Sequence, residues 1–354
     1  MSLLFAPLDL RSVTLPNRIA VSPMCQYSAV DGLPDAWHLV HLGSRAVGGA
    51  GLVFTEATSV QDIGRISPGD TGIWNDEQRE AWRPIAAFIR EHGAVAGMQL
   101  AHAGRKASTY APFDTERGGV PDDLGGWTPV SVGDEPFDPT YRTPVELDEA
   151  GIRQVVRDFA AGARRAVDAG FQLVEVHAAH GYLLHQFLSP LTNKRTDGYG
   201  GDFEGRIRLA VEVTAAVRAE VGEDVPVLVR ISATDWVDGG WDEQDSVRLS
   251  RALADVGADL IDTSTGGLVP DAKITLGPGY QVPFADAVRK KAEVPTGAVG
   301  LITDARQAET ILADGSADIV LLARELLRDP YWPLRAAGQL GAEVRAPKQY
   351  ARAL

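Results

Sequence analysis

Apolar and polar residues follow two rhythms along this chain, and the rhythms take turns. Short β-branched runs predict strands over residues 18–23, 51–58, 94–101, 171–177, 225–232, 258–264, 296–300 and 317–323. Between them, apolar residues recur at three- and four-residue spacing. That spacing predicts helices near 39–47, 76–92, 148–169, 203–221, 243–256, 282–291 and 304–313, with one more near 332–339. Several helical runs end in glycine, as at Val47-Gly48-Gly49, Ala169-Gly170 and Val256-Gly257, where a left-handed residue stops the helix before the next strand. Strands that alternate with helices form parallel sheets, because a parallel pair needs a crossover between its members. Eight such units without a break in composition predict an α/β fold, a (β/α)8 TIM barrel spanning 1–354 as one domain. An open doubly wound sheet is the alternative, but no Gly-x-Gly-x-x-Gly follows any strand.

One connection departs from the rhythm. From 109 to 143 the chain is rich in Pro, Gly and Asp and shows no clean period. Long structureless loops are uncommon inside compact folds and are often functional. Because this one follows the third strand, it should emerge at the C-terminal mouth, where barrel sites are built. It reads either as a lid or as a passive surface excursion.

Composition narrows the function classes. A net charge of −14 opposes nucleic acid or an anionic membrane surface as the main partner, since both carry the same sign. No run approaches the ~20 apolar residues of a membrane span. The single cysteine, Cys25, excludes an internal disulfide framework and a cysteine-rich metal or iron–sulfur site. The first residues, Met1 to Pro7, lack a basic stretch followed by an apolar core, so a cytoplasmic location is expected.

Polar residues inside otherwise apolar strands are the candidates for chemistry. Arg230 lies within Val227-Leu228-Val229-Arg230-Ile231. A buried guanidinium must find an anion, either Glu175 of the preceding strand or an electron-rich ligand. Gln99 offers a donor and an acceptor together, which suits a flavin or nucleobase edge, or else is satisfied by backbone. The run His177-Ala178-Ala179-His180-Gly181-Tyr182 falls at the end of a strand, hence at the mouth. It could hold a metal or serve structure alone. No helical His-Glu-x-x-His pattern or acidic third ligand accompanies it, so no metal is expected; two N–H donors beside a phenol suit carbonyl polarisation and proton delivery. Gly300 and Ala323-Arg324 end the last two strands, where barrels commonly hold a phosphate.

These residues resemble the old yellow enzyme family, in its thermophilic-like bacterial branch that includes xenobiotic reductases. The likeness covers essentially the whole chain. It is carried by Leu15-Pro16-Asn17-Arg18-Ile19, Ser22-Pro23-Met24-Cys25-Gln26-Tyr27, Gln99-Leu100-Ala101-His102-Ala103-Gly104-Arg105-Lys106, the His177–Tyr182 run, and Asn193-Lys194-Arg195-Thr196-Asp197-Gly198-Tyr199-Gly200-Gly201. The resemblance implies an FMN-dependent ene-reductase that draws electrons from NADPH or NADH and reduces enones, nitro compounds or quinones. It places Pro23, Met24, Cys25, Ala57, Gln99 and Arg230 around the flavin ring, and Gly300, Ala323 and Arg324 at its phosphate. His177 and His180 would grip the substrate oxygen, Tyr182 would donate a proton, and Tyr27 would add a second phenol. It also implies a homo-oligomer in which Arg352 completes the pocket of the neighbouring subunit. The chain departs from the family pattern at Ala323, where many relatives carry glycine, and in the length of its 115–138 loop.

Overall fold

A computed structural model describes residues 2–350 and Arg352. The chain opens with an antiparallel hairpin, β1 (Leu8–Leu10) and β2 (Val13–Leu15). Eight parallel strands then close on themselves: β3 (Ile19–Val21), β4 (Leu52–Ser59), β5 (Val95–Ala101), β8 (Leu173–Ala178), β9 (Val227–Ser232), β10 (Leu260–Ser264), β11 (Thr296–Ala298) and β12 (Ile319–Leu322). The last strand pairs with the first, Val320 opposite Ile19. The barrel is therefore closed, and the open sheet is ruled out.

Helices α1 (Ala36–Val47), α2 (Asp76–Glu91), α3 (Glu149–Ala169), α5 (Phe203–Val221), α6 (Glu243–Asp255), α7 (Val282–Ala292) and α8 (Ala305–Ala313) form the outer ring. Most begin at an Asp or Asn whose carboxyl or amide oxygen accepts a first-turn N–H, as Asp148 does from Gly151 and Asp202 from Gly205. The glycine stops are real: Gly49, Gly170 and Gly257 all adopt positive φ. One core lies between strands and helices. A second fills the barrel floor, where Leu10, Val13 and Leu15 of the hairpin pack against Leu52, Phe54, Leu173, Leu228, Leu260 and Ile319.

Three further helices complete the set: α4 (Leu183–Leu188) and α9 (Arg324–Arg328), neither of which shows as an amphipathic run, and α10 (Trp332–Leu340), which falls where the run near 332–339 predicts it. The stretch from 109 to 143 contains a 3-10 turn at Asp122–Leu124 and the two-residue strand β6 (Val130–Ser131), which pairs with β7 (Val145–Glu146). Trp127 fastens it to the barrel: its indole N–H donates to the Ile63 carbonyl at 2.8 Å.

Candidate functional site at the barrel mouth

The register of neighbouring strands brings the polar residues together. Gln99 pairs with Glu175, His177 with Arg230, and Arg230 with Asp262. Arg230 is buried, with its Nε 3.1 Å from Asp262 Oδ2 and its Nη1 donating to Ser22 Oγ at 3.0 Å. The ion pair expected with Glu175 is thus made with Asp262, because Asp262 stands directly opposite in the adjacent strand. Glu175 instead accepts from Gln99 Nε2 at 2.8 Å. Gln99 is therefore satisfied by a carboxyl, not by backbone, and no described residue donates to its side-chain oxygen.

Above this layer stand His177, His180 and Tyr182. The His177 ring lies 5.1 Å from that of His180 and 5.0 Å from that of Tyr182, nearly perpendicular to both. His177 Nδ1 accepts from the Ala179 N–H at 3.3 Å, which places the ring proton on Nε2. His180 Nε2 lies 2.8 Å from Ser264 Oγ. The same Ser264 hydroxyl lies 3.3 Å from Gln281 Oε1. Burial, followed by the charge of Arg230, holds both imidazoles well below their ordinary value, so they are neutral. Burial pushes the Tyr182 phenol well above its ordinary value, so it keeps its proton.

The turn that carries these groups is built on close backbone approach. His180 has φ of 59° and Gly181 of 73°. A Cβ on Gly181 would fall 2.2 Å from the Gly267 carbonyl oxygen, and one on Gly267 would fall 2.7 Å from His180 Cα. Lys106 ties the turn down by donating to the carbonyls of His180 (2.9 Å) and Gly267 (3.0 Å). Burial, with Arg105 nearby, pulls its ammonium down to about 8.

Pro23, Met24, Cys25 and Tyr27 follow β3 and are half-buried, while Ala57 is buried in β4. The register of β4 shifts between Phe54 and Ala57, and this irregularity accompanies Glu56 meeting His38 Nε2 at 3.2 Å. Burial, then Asp70 and Glu56, pushes the Cys25 thiol well up, so it is not a ready thiolate. The Tyr27 phenol is also raised by burial, and the ring meets Phe113 of the long connection edge-on at 5.9 Å.

Between the ends of β11 and β12 lies a cavity of about 290 Å3, lined by Gly300, Leu301, Ala323, Arg324, Gln281 and His180 among others. Gly300 has φ of 114°, and a Cβ there would press to 2.8 Å from Gln281 Nε2. Arg324 is exposed at the rim and makes no ion pair among the described residues. Backbone N–H groups, an unpaired guanidinium and a glycine that leaves room suit a phosphate. The same cavity reaches His180, at the edge of the histidine cluster. Gly300 and Arg324 at this cavity, with the Gln99 and Arg230 side chains inside the barrel, form a donor set that suits the phosphate and the flat polar ring of FMN.

Sequence reasoning missed Asp262, Ser264 and Ser22. Asp262 breaks an apolar strand just as Arg230 does, so the same rule could have found it. Arg352, which the family resemblance places in a neighbouring subunit's pocket, is exposed here and is not brought to these groups.

Fold and site together define a barrel enzyme whose C-terminal mouth takes a phosphate-bearing cofactor. Residues 3–343 match the NADH:flavin oxidoreductase / NADH oxidase family, and the chain belongs to that family. It is 48% identical over 353 residues to the NADPH dehydrogenase of Geobacillus sp. (strain WCH70), covering 99% of this chain and 98% of that one. The old yellow enzyme homologue from Zymomonas mobilis superposes with a TM-score of 0.79 at 28% identity, over 97% of this chain and 94% of that one. A 2-naphthoyl-CoA reductase superposes at 0.86 with 26% identity over 96% of this chain, which spans only 52% of that longer protein. The protein is an FMN-dependent, NAD(P)H-using oxidoreductase. None of its described helices is long and apolar enough to cross a membrane.

Proposed function

We propose that the protein reduces the activated carbon–carbon double bond of α,β-unsaturated carbonyl or nitro compounds, with NADPH or NADH as the transient reductant. One observation carries the reading. The neutral His177 ring stands about 5 Å from, and nearly perpendicular to, both the neutral imidazole of His180 and the protonated phenol of Tyr182 at the mouth of the barrel.

Bound FMN would relay a hydride from the nicotinamide to the substrate carbon. Arg230 and Gln99 would hold the polar edge of the ring, with Pro23, Met24, Cys25 and Ala57 around it. Gly300, Ala323 and Arg324 would hold the phosphate. A guanidinium at the ring edge favours the electron-rich form, because a fixed charge needs no reorganisation when negative charge develops. His177 donates from Nε2 to the substrate's carbonyl or nitro oxygen, and His180, with its Nε2 taking the Ser264 hydroxyl proton, donates beside it from Nδ1. Both draw charge onto that oxygen and leave the β-carbon electron-poor. Tyr182 delivers its proton to the α-carbon, a contribution worth about 10²–10⁴ in rate. Quinones suit the same oxygen grip. Tyr27 flanks the site as a second phenol.

The 109–143 connection would cover the site: it sets Phe113 against Tyr27, and Phe137 with its ring centroid 4.5 Å from Lys106 Nζ. In a homo-oligomer, Arg352 of the partner subunit would complete the pocket.

The test separates the two half-reactions. In Tyr182→Phe, rapid-mixing traces should show flavin reduction by NADPH within a few-fold of wild type and enone reduction slowed by about 10²-fold or more. Equal slowing of both halves would reassign Tyr182 to positioning the ligand.

A further inference from the structure

Directly beneath the histidine cluster, two carboxyls face one guanidinium. Glu175, Arg230 and Asp262 come from the adjacent strands β8, β9 and β10, and the two acids are fully buried. Asp262 Oδ2 lies 3.1 Å from Arg230 Nε, while Glu175 Oε1 takes the Gln99 amide at 2.8 Å. Glu175 Oε2 and Asp262 Oδ1 find no hydrogen-bond donor among the described residues, and the contact of Asp262 Oδ2 with Arg230 Nε is an ion pair without hydrogen-bond alignment. The two carboxyls flank the same guanidinium, and each feels the other's charge state.

With both acids ionised, the layer would hold two negative charges against one positive, with no solvent to take up the excess. Two like charges buried around one guanidinium cannot both stay ionised cheaply. The surrounding groups offer no further compensation. Gln99 on β5 and Ser22 after β3 are uncharged, and His177 at the end of β8 and His180 in the following turn are neutral. His185 on α4 is committed to Asp235 at 3.0 Å, and Lys106 to two backbone carbonyls. A single proton between the carboxyls would cancel the excess and give the stranded oxygens a partner.

We propose that Glu175 and Asp262 share one proton, with Glu175 as the neutral member and Asp262 as the counter-ion of Arg230, and that this pair sets how much of the Arg230 charge reaches the flavin ring. Asp262 is the ionised member because it alone is within ion-pair range of the guanidinium. Burial acts in the same direction: it lifts the Glu175 carboxyl well above its usual range, and Asp262 to about 6. The last part of the proposal rests on the reading that Arg230 faces the ring; the shared proton does not.

A shared proton has an unusual signature, because removing either acid removes the proton as well. Glu175→Gln leaves Arg230 paired with Asp262. Asp262→Asn leaves it paired with Glu175, which then ionises. Each single variant keeps the layer neutral, so each should leave the midpoint potential of bound FMN close to wild type. The double variant Glu175→Gln/Asp262→Asn frees the guanidinium and should raise the potential by more than the two single shifts together. Dye-equilibrated reductive titrations read these potentials. Difference infrared spectra of the FMN-free and FMN-loaded wild-type protein, with and without deuterium exchange, read the proton itself as a carboxylic-acid carbonyl band that is lost in Glu175→Gln.

Equal, additive rises in the two single variants would mean that both acids are ionised and would overturn the proposal. So would the absence of the infrared band from the wild-type protein, a result that does not depend on any variant folding. A band present with no shift in the double variant would establish the shared proton and overturn the placement of Arg230 at the ring.

Discussion

His177 owes its neutrality to where it sits: it is 3% exposed and lies close enough to Arg230 to feel its charge. Two consequences can be measured. The first is ligand affinity. A phenol that places its oxygen where a substrate carbonyl would lie takes a hydrogen bond from His177 Nε2, and a bond of this charge-assisted kind is worth about 1.5–3 kcal/mol. His177→Ala should therefore weaken phenol binding roughly 10- to 100-fold in a spectral titration of the flavin. Unchanged titrations in both His177→Ala and His180→Ala would remove these residues from the oxygen grip. The second is acid stability. The folded protein holds His177 unprotonated below the pH near 6.5 at which an unfolded chain takes up its proton. Stability is thus lost as pH falls through the unfolded value and toward the folded one, with a slope approaching about 1.4 kcal/mol per pH unit for this group. Urea unfolding between pH 7 and 5 should be less pH-dependent in His177→Asn than in wild type, and parallel slopes would contradict the assignment. At this scale the sequence was readable wherever a polar residue interrupts an apolar run, as Arg230, Gln99 and the His177–Tyr182 cluster do. Asp262 obeys the same rule, but it sits among Asp259, Thr263 and Ser264, where the interruption loses its contrast. The meeting of Glu56 with His38 had no sequence signal, because an irregular register in β4 accompanies it.

At the scale of elements, the eight barrel strands were legible to within two residues at nearly every boundary, since continuous β-branched runs flanked by helix stops have few other readings. The hairpin of β1 and β2 was not. Its strands are three residues each, too short to show a period, and their value lies in plugging the barrel floor. Helix α4 escaped for the opposite reason: all six of its residues are buried, so it shows no polar face. Leu15 is 1% exposed within the floor cluster. Leu15→Ala should cost about 2–5 kcal/mol of unfolding free energy, the range for emptying a buried leucine site. FMN content should be little changed, because the floor lies at the opposite end of the barrel from the mouth. A loss below 1 kcal/mol would mean that the hairpin is a loose cap. Within the long connection, Trp127 and Phe137 gave no advance sign of where they would dock, because irregular backbone carries no register from which contacts can be counted.

At the scale of the whole molecule, the closed barrel follows from the rhythm of strands and helices, whereas the homo-oligomer is an expectation from family resemblance alone, since an interface leaves no period in the chain. If Arg352 acts across subunits, Arg352→Ala should change substrate affinity and spare FMN content. Mixing Arg352→Ala subunits with Tyr182→Phe subunits should then recover activity, because a mixed dimer holds one pocket with both defects and one with neither. Activity no higher than the mean of the two parents, once subunit exchange is verified, would confine Arg352 to its own subunit. The closure of the barrel bears on how the protein is made. Ile19 waits for Val320, and the backbone amides of Leu3 and Leu4 wait for Glu309. During synthesis the first barrel strand leaves the ribosome with one edge bare, and its partner follows only after nearly all of the chain has been made. An unpaired strand edge is a template for the wrong neighbour, and contacts so distant in sequence form slowly. A newborn chain therefore spends most of its synthesis as an open, sticky arc, and conditions that slow translation or crowd unfinished chains should lower the yield of folded protein more than they weaken the protein once it has closed.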